Sequence, residues 1–316
     1  MKKLLVTGSS GLVGTSIRSI ISEQKSFEPW YTHKVVYVTS KDADLCNFKQ
    51  TTAMLKHYKP DYVIHLAAEV GGLYKNMNSK VEMLEKNLRM NDNIITACFQ
   101  SGVKNFMGAL STCIFPDKTT YPIDETMLHN GPPHTSNDAY AYAKRMMEVQ
   151  CRAYNEQHDM NYNCVIPTNI YGENDNYNLE DSHVIPGLIH RCFLAKESGE
   201  KFIVRGTGKP LRQFIYSKDL ARAMLQLTST LQQDNVIVVG NDLEHSIRSI
   251  ATMIASEFNY VENMSFDDTY SDGQYKKTAD NRKFLSMIPE FKATDIQVGI
   301  KNTVQYFKDT YPNCRI

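Results

Sequence analysis

The chain has 316 residues, 42% of them hydrophobic and 22% charged, an ordinary globular composition long enough for one large domain or two lobes. Its 35 Lys and Arg balance 35 Asp and Glu, so no global field draws nucleic acid or an acidic membrane surface, and neither is expected as a partner. The seven cysteines are scattered without metal-ligand spacing, and the N-terminal apolar run ends at Gly8; both point to a cytoplasmic protein with no bound metal, signal peptide or membrane span.

Short apolar runs alternate with longer amphipathic stretches through the first half, the pattern of parallel strands joined by crossover helices. Strands are predicted at residues 3–7, 34–39, 62–66, 105–110 and 162–167, with helices from Leu12, Phe48, Val81 and Asn137. The fold class is therefore α/β, a doubly wound (Rossmann) parallel sheet. After Pro167 the pattern loosens, leaving helical stretches near residues 184–196, 218–231 and 246–258. Residues 1–167 read as a dinucleotide-binding domain. Residues 168–316 read as mainly a smaller C-terminal α/β substrate lobe, some of whose chain returns to the first domain. No linker separates them, so one shared cleft is expected.

Directly after the first strand comes Gly8-Ser9-Ser10-Gly11-Leu12-Val13-Gly14, a Gly-x-x-Gly-x-x-Gly turn opening a helix. Glycines permit the tight turn and a close backbone approach, while the helix's first amides face a pyrophosphate. The second strand ends Val38-Thr39-Ser40-Lys41 with no carboxylate at its tip. Ser40 and Lys41 suit a 2'-phosphate, which favours NADP(H) over NAD. Asp44-Leu45 then stands where such folds commonly frame the adenine.

Ser111 ends the fourth strand, and Tyr140-Ala141-Tyr142-Ala143-Lys144 lies on the next helix. Tyr140 and Lys144, four apart, share a helical face, where the ammonium is expected to favour the phenolate. Tyr140 would then be the acid at a reduced carbonyl, with Ser111 holding its oxygen and Lys144 also anchoring the nicotinamide ribose. Tyr142 competes for the role but has no lysine four residues ahead.

From Gly8 through Lys144, and including His65-Leu66-Ala67-Ala68, the sequence resembles the extended short-chain dehydrogenases and reductases. Where sugar-nucleotide dehydratases of that group carry Thr-Asp-Glu, this chain has Ser111-Thr112-Cys113. A thiol two residues beyond Ser111 on an extended strand end would face the same substrate. There it would suit proton abstraction beside a ketone, especially if an imidazolium lowered its pKa.

Further segments, Val70-Gly71-Gly72-Leu73, Asn130-Gly131-Pro132-Pro133, Pro167-Thr168-Asn169-Ile170-Tyr171-Gly172, Asp181-Ser182-His183-Val184-Ile185-Pro186 and Arg212-Gln213-Phe214-Ile215-Tyr216, resemble the GDP-L-fucose synthase family over nearly the whole chain. That family is also called GDP-4-keto-6-deoxymannose 3,5-epimerase-4-reductase. The resemblance implies epimerisation with Cys113 as base and His183 as acid, followed by NADPH-dependent reduction of C4. It also implies that Ala67, Ala68, Pro167, Asn169, Ile170 and His183 border the cofactor, that Arg191, Arg205, Arg212 and Asp272 bind a GDP-sugar, and that the chain forms a homodimer. Arg205 stands where the family commonly has Trp, so cation stacking is expected in place of aromatic stacking. Two alternatives stay open: a single-stage 4-reductase or epimerase in which Cys113 or His183 is structural, and a non-catalytic NADP-sensing regulator.

Overall fold

The structure, a computed structural model, describes residues 2–23, 33–231, 233–241 and 243–316. Its first strands, β1 (Lys2–Thr7), β2 (His33–Val38), β3 (Tyr62–His65), β4 (Asn105–Ala109) and β5 (Asn161–Pro167), pair in parallel in the order β2-β1-β3-β4-β5. Between them run α1 (Leu12–Glu23), α2 (Phe48–Tyr58), α3 (Leu73–Asn78), α4 (Lys80–Gln100) and α5 (Asp138–His158).

The apolar runs are nearly continuous because both faces of this sheet are covered. Leu5, Val63, Phe106 and Ile166 point into a core with residues of α2, α4 and α5. Leu4, Val6, Ile64, Met107 and Val165, on the alternate positions, point into a second core with α1. The chain steps from β1 to β2 on one side and then to β3 on the other. This reversal opens a crevice at the strands' carboxyl ends, where ligands of such sheets bind.

Past Pro167 the chain forms β6 (Asn169–Tyr171), α6 (Val184–Ser198), β7 (Phe202–Arg205), β8 (Leu211–Arg212), β9 (Phe214–Tyr216), α7 (Ser217–Thr230) and β10 (Asn235–Val238). It continues with β11 (His245–Ser246), α8 (Ile247–Glu257), β12 (Met264–Asp267), α9 (Arg282–Met287) and α10 (Ile296–Thr310). β10 joins the large sheet beside β5, and α7 shares the second core with α1. A third core, with Tyr171, Ile189, Phe202, Ile254 and Phe307, holds α6, α8, α10 and the short strand pairs together.

The expected helices are present within a few residues, and the strands predicted to reach Leu66 and Leu110 stop at His65 and Ala109. Residues 111–114 depart more. Instead of an extended strand end, Ser111 accepts from the amide of Cys113 at 3.4 Å and opens a 3-10 turn, Thr112–Ile114. Among the described residues no helix is long and apolar enough to cross a membrane, and all seven cysteines are unpaired.

Candidate active site

A cleft of about 990 Å³ is walled by the carboxyl ends of β1 to β5 and by the C-terminal lobe. The glycine turn forms one wall. Gly8 has φ +65°, and a Cβ there would lie 2.6 Å from the amide nitrogen of Ala67; at Gly14 it would lie 2.5 Å from the Cα of Ser9. Side chains at either position would separate β1, α1 and the β3 end, so the bare turn keeps α1's first amides at the cleft, where a pyrophosphate fits.

The His65-Leu66-Ala67-Ala68 segment is positioned by a buried chain of hydrogen bonds. Thr7 Oγ1 meets His65 Nδ1 at 2.8 Å, His65 Nε2 meets Asn91 Oδ1 at 3.2 Å, and the amides of Leu66 and Ala67 donate to Thr7 Oγ1 at 3.3 and 3.4 Å. Burial, then the nearby Lys144 charge, pushes His65 down to about 3, so its ring is neutral and works as a fixed strut.

Most cofactor-site residues expected from the sequence line the cleft: Gly8, Ser10, Gly11, Leu12, Val13, Gly14, Ser40, Asp44, Leu45, Ala67, Ala68, Pro167, Asn169 and Ile170. Two do not. Ser9 is buried, its amide and hydroxyl both donating to the Val38 carbonyl at 3.1 and 3.0 Å, so it pins the turn to β2 rather than facing a ligand. Lys41 is exposed and stands outside the cleft wall, because the Thr39–Asp42 turn closed by Asp42 Oδ2 carries it away. Ser40 lines the cleft itself, while Lys41 is exposed at its edge.

Ser111, Cys113, Tyr140, Lys144 and His183 all line this same cleft. Lys144 is 1% exposed and donates to the Ala109 carbonyl at 2.8 Å, with its ammonium 5.8 Å from the Tyr140 ring centroid. Tyr142 is 40% exposed and stacks with Arg145 instead, which removes it as a competing acid. The expected activation of Tyr140 is not seen. Burial, with Cys113 adding to it, pushes the phenol well above its ordinary value, and no opposing effect of Lys144 offsets it. Burial likewise lowers Lys144 to about 8. The phenol is thus held as an acid with its proton in place.

Burial also raises the Cys113 thiol, against the pull of Lys277, the Ser111 hydroxyl and Lys144. The expected imidazolium is not what faces it: His183 is exposed on the cleft wall, and the enclosing cleft and then the Arg315 charge lower its pKa, which favours the neutral ring. His183 begins α6 without a side-chain capping bond, and no hydrogen bond engages its ring among the described residues. Its loop is fixed by Gly72, whose amide donates to Asp181 O at 2.9 Å and where a Cβ would strike Ser182 O.

Arg191, Arg205, Arg212 and Asp272 line the cleft too. Arg191 donates to Leu179 O at 3.1 Å and is lowered by burial and then by Arg205, an effect that Glu180, itself 3.7 Å from Arg205, partly offsets. Arg212 donates to the Leu211, Gln274 and Tyr275 carbonyls, and burial pushes it down to about 10. Arg205 lies over the rings of Tyr270 and Tyr74, 4.9 and 5.7 Å from their centroids. Asp272 already accepts from the Thr207 amide and hydroxyl at 2.8 and 2.6 Å, so it first of all holds the Gly206-Thr207-Gly208 turn. Sequence reasoning missed Tyr74, Asp175, Lys277 and Arg315, which also line the cleft and which no local motif marks.

A glycine turn at a dinucleotide crevice, with a half-buried Tyr and a buried Lys paired beside it, defines a dinucleotide-dependent enzyme acting at a carbonyl. The chain belongs to the NAD dependent epimerase/dehydratase family, whose model matches residues 4–240, and within it to the GDP-L-fucose synthase family. It is 48% identical to a GDP-L-fucose synthase of Dictyostelium discoideum over 99% of this chain and 98% of that relative. It is 45% identical to a probable GDP-L-fucose synthase of Drosophila melanogaster over the full length of both. A crystal structure of a GDP-L-fucose synthetase from Naegleria fowleri bound to NADP superposes with a TM-score of 0.91 at 42% identity, covering 100% of this chain and 96% of that one.

Proposed function

We propose that this chain converts GDP-4-keto-6-deoxymannose to GDP-L-fucose, inverting C3 and C5 and then reducing C4 with NADPH. The observation that carries the reading is the convergence of Cys113, Ser111, Tyr140, Lys144 and His183 on one cleft, in a chain 48% identical to a GDP-L-fucose synthase. The open α1 turn and the Ala67–Ala68 wall fit a dinucleotide.

The Cys113 thiolate removes a proton from the carbon beside the C4 ketone, and the electron pair moves onto the ketone oxygen, where Ser111 and Tyr140 hold the enolate. His183 as imidazolium protonates the opposite face, and the ketone re-forms. A raised thiol pKa makes the thiolate a stronger base and a lowered imidazole pKa makes the imidazolium a stronger acid, but both forms are minority species near neutrality, so the reaction draws on a small population that neighbouring charges must support. NADPH, when bound, supplies the hydride for C4, and Tyr140 delivers its proton to the oxygen. Arg191 and Arg212 take the diphosphate.

Seven unpaired thiols support a cytoplasmic setting. A homodimer through α4 and α5 is supported by Val81, Tyr142 and Met146, apolar side chains left 68, 40 and 45% exposed on those helices. The test of the reaction is incubation of GDP-4-keto-6-deoxymannose in heavy water without NADPH, then with it. Deuterium at C3 and C5 in the first stage and GDP-L-fucose in the second are expected; reduction without exchange would leave only a 4-reductase.

A further inference from the structure

Lys277 is a cation of this cleft with no hydrogen bond or ion pair among the described residues, unlike its neighbour Lys276, which pairs with Glu244 at 3.1 Å. Its backbone is tied down on both sides. Arg212 donates to the carbonyls of Gln274 and Tyr275 at 2.6 and 3.2 Å, and Tyr121 Oη donates to Lys276 O at 2.7 Å. Beyond it, Ile123 N donates to Thr278 O at 2.9 Å, Ala279 N to Gln213 Oε1 at 2.8 Å, and Asp280 N to Ile123 O at 2.8 Å. Ile123 and Ala279 form a parallel bridge, which docks this segment against the chain that follows the Cys113 turn. An unpaired ammonium on a pinned backbone therefore stands in the wall that also holds the thiol.

Resting on the function proposed above, we propose that Lys277 is a positioning residue of the epimerisation: its ammonium stabilises the thiolate of Cys113 and so supplies the base. The charges that face the sulfur support this. From α5 come Lys144 and Arg145, with the protonated Tyr140, and from its own turn the Ser111 hydroxyl. Lys144 and Arg145 are already engaged, by Ala109 O and Ile114 O. Lys277 has the largest lowering effect on the thiol, and Cys113 is the largest charge acting on Lys277, ahead of Arg212 and Asp117. Burial alone would keep the thiol protonated and idle, and a cation with no other partner offsets that burial where the proton is to be taken.

The experiment is alkylation of the whole protein by iodoacetamide, a neutral reagent, across pH 6–10, with Cys113 and the partly exposed Cys46 quantified separately by peptide mass spectrometry. Lys277→Met and Lys277→Gln are expected to lower the Cys113 rate about tenfold near neutrality, equivalent to a rise of about one pKa unit, while Lys277→Arg keeps it. Cys46 alkylation and NADPH binding, unchanged in all variants, certify the fold. A Cys113 profile in Lys277→Gln and Lys277→Met that overlays the parent's, even with turnover reduced, would overturn the proposal and leave Lys277 an anion ligand. Because alkylation needs no substrate, absence of solvent exchange in the parent would sink the epimerase reading without touching this result.

Discussion

The ammonium of Lys144 donates to the carbonyl of Ala109 at 2.8 Å, joining the catalytic face of α5 to the end of β4. This bond fixes Lys144 where Tyr140 and a ribose can meet, but it does not relieve the burial that lowers the lysine to about 8 and raises the tyrosine. The kcat/KM of C4 reduction, measured with NADPH varied and an already epimerised substrate, reports the free enzyme's groups. It is expected to fall above pH 8 as Lys144 loses its charge, with no separate fall near 10 from the phenol. Lys277 also titrates near 8, so the profile is repeated in Lys277→Met, where the same limb must persist. A limb that stays flat to pH 10 would contradict the assignment.

The sheet and its crossovers were legible because a covered parallel sheet writes itself as apolar runs, and the glycine turn because only glycine fits at Gly8 and Gly14. The short strand pairs of the C-terminal lobe were not, since elements of two to four residues carry no periodicity. Motif position says which residues are near a ligand, whereas the direction of a side chain depends on local hydrogen bonds: the Ser9 hydroxyl turns to the Val38 carbonyl, which the motif alone does not reveal. The protonation states of Tyr140, Cys113 and His183 depend on enclosure in the assembled cleft and, for Cys113 and His183, on charges far away in sequence, Lys277 and Arg315, which spacing along a helix cannot reveal.

Arg205 sets a guanidinium against Tyr74 and Tyr270, whose rings meet edge to face at 6.1 Å. A guanidinium in this position offers both a flat face and a charge near Arg191. Arg205→Ala is expected to raise the KM for the GDP-sugar about tenfold while kcat changes less than twofold, since a contact with the nucleotide is the same in ground and transition states. Steady-state kinetics at saturating NADPH measures both. A fall in kcat with KM unchanged would place Arg205 in the chemistry instead.

Met146 lines a shallow groove between α4 and α5 with Leu88, Arg89, Asp92 and Gln150. A glutamate there would put an unpaired carboxylate into any helix-pairing interface, a cost of several kcal/mol when desolvated. Met146→Glu is therefore expected to sediment as a monomer at concentrations where the parent sediments as a dimer, with the sheet's circular dichroism retained. A parent protein that is monomeric at micromolar concentration refutes the dimer.

Asp175 is 4% exposed, its Oδ1 accepting from Asn176 N at 2.7 Å and its Oδ2 without a partner among the described residues. Burial pushes its carboxyl up to about 7, although the Asn176 amide and then Arg315 pull it down. The unfolded chain releases this proton near an ordinary carboxylate pKa of about 4, so between about pH 4 and 7 the folded state binds more protons than the unfolded one. Stability contributed by this group must then fall as pH rises through that window, and the full cost, a few kcal/mol at most, is present above pH 7. Asp175→Asn keeps the shape and removes the charge. Its Tm, followed by calorimetry, is expected to exceed the parent's by more at pH 8 than at pH 5, because at pH 5 the parent's carboxyl is already protonated and neutral. A Tm difference equal at both pH values would mean that Asp175 is ionised throughout, held by Arg315 as an ion pair, and the burial argument for this part of the cleft would fail.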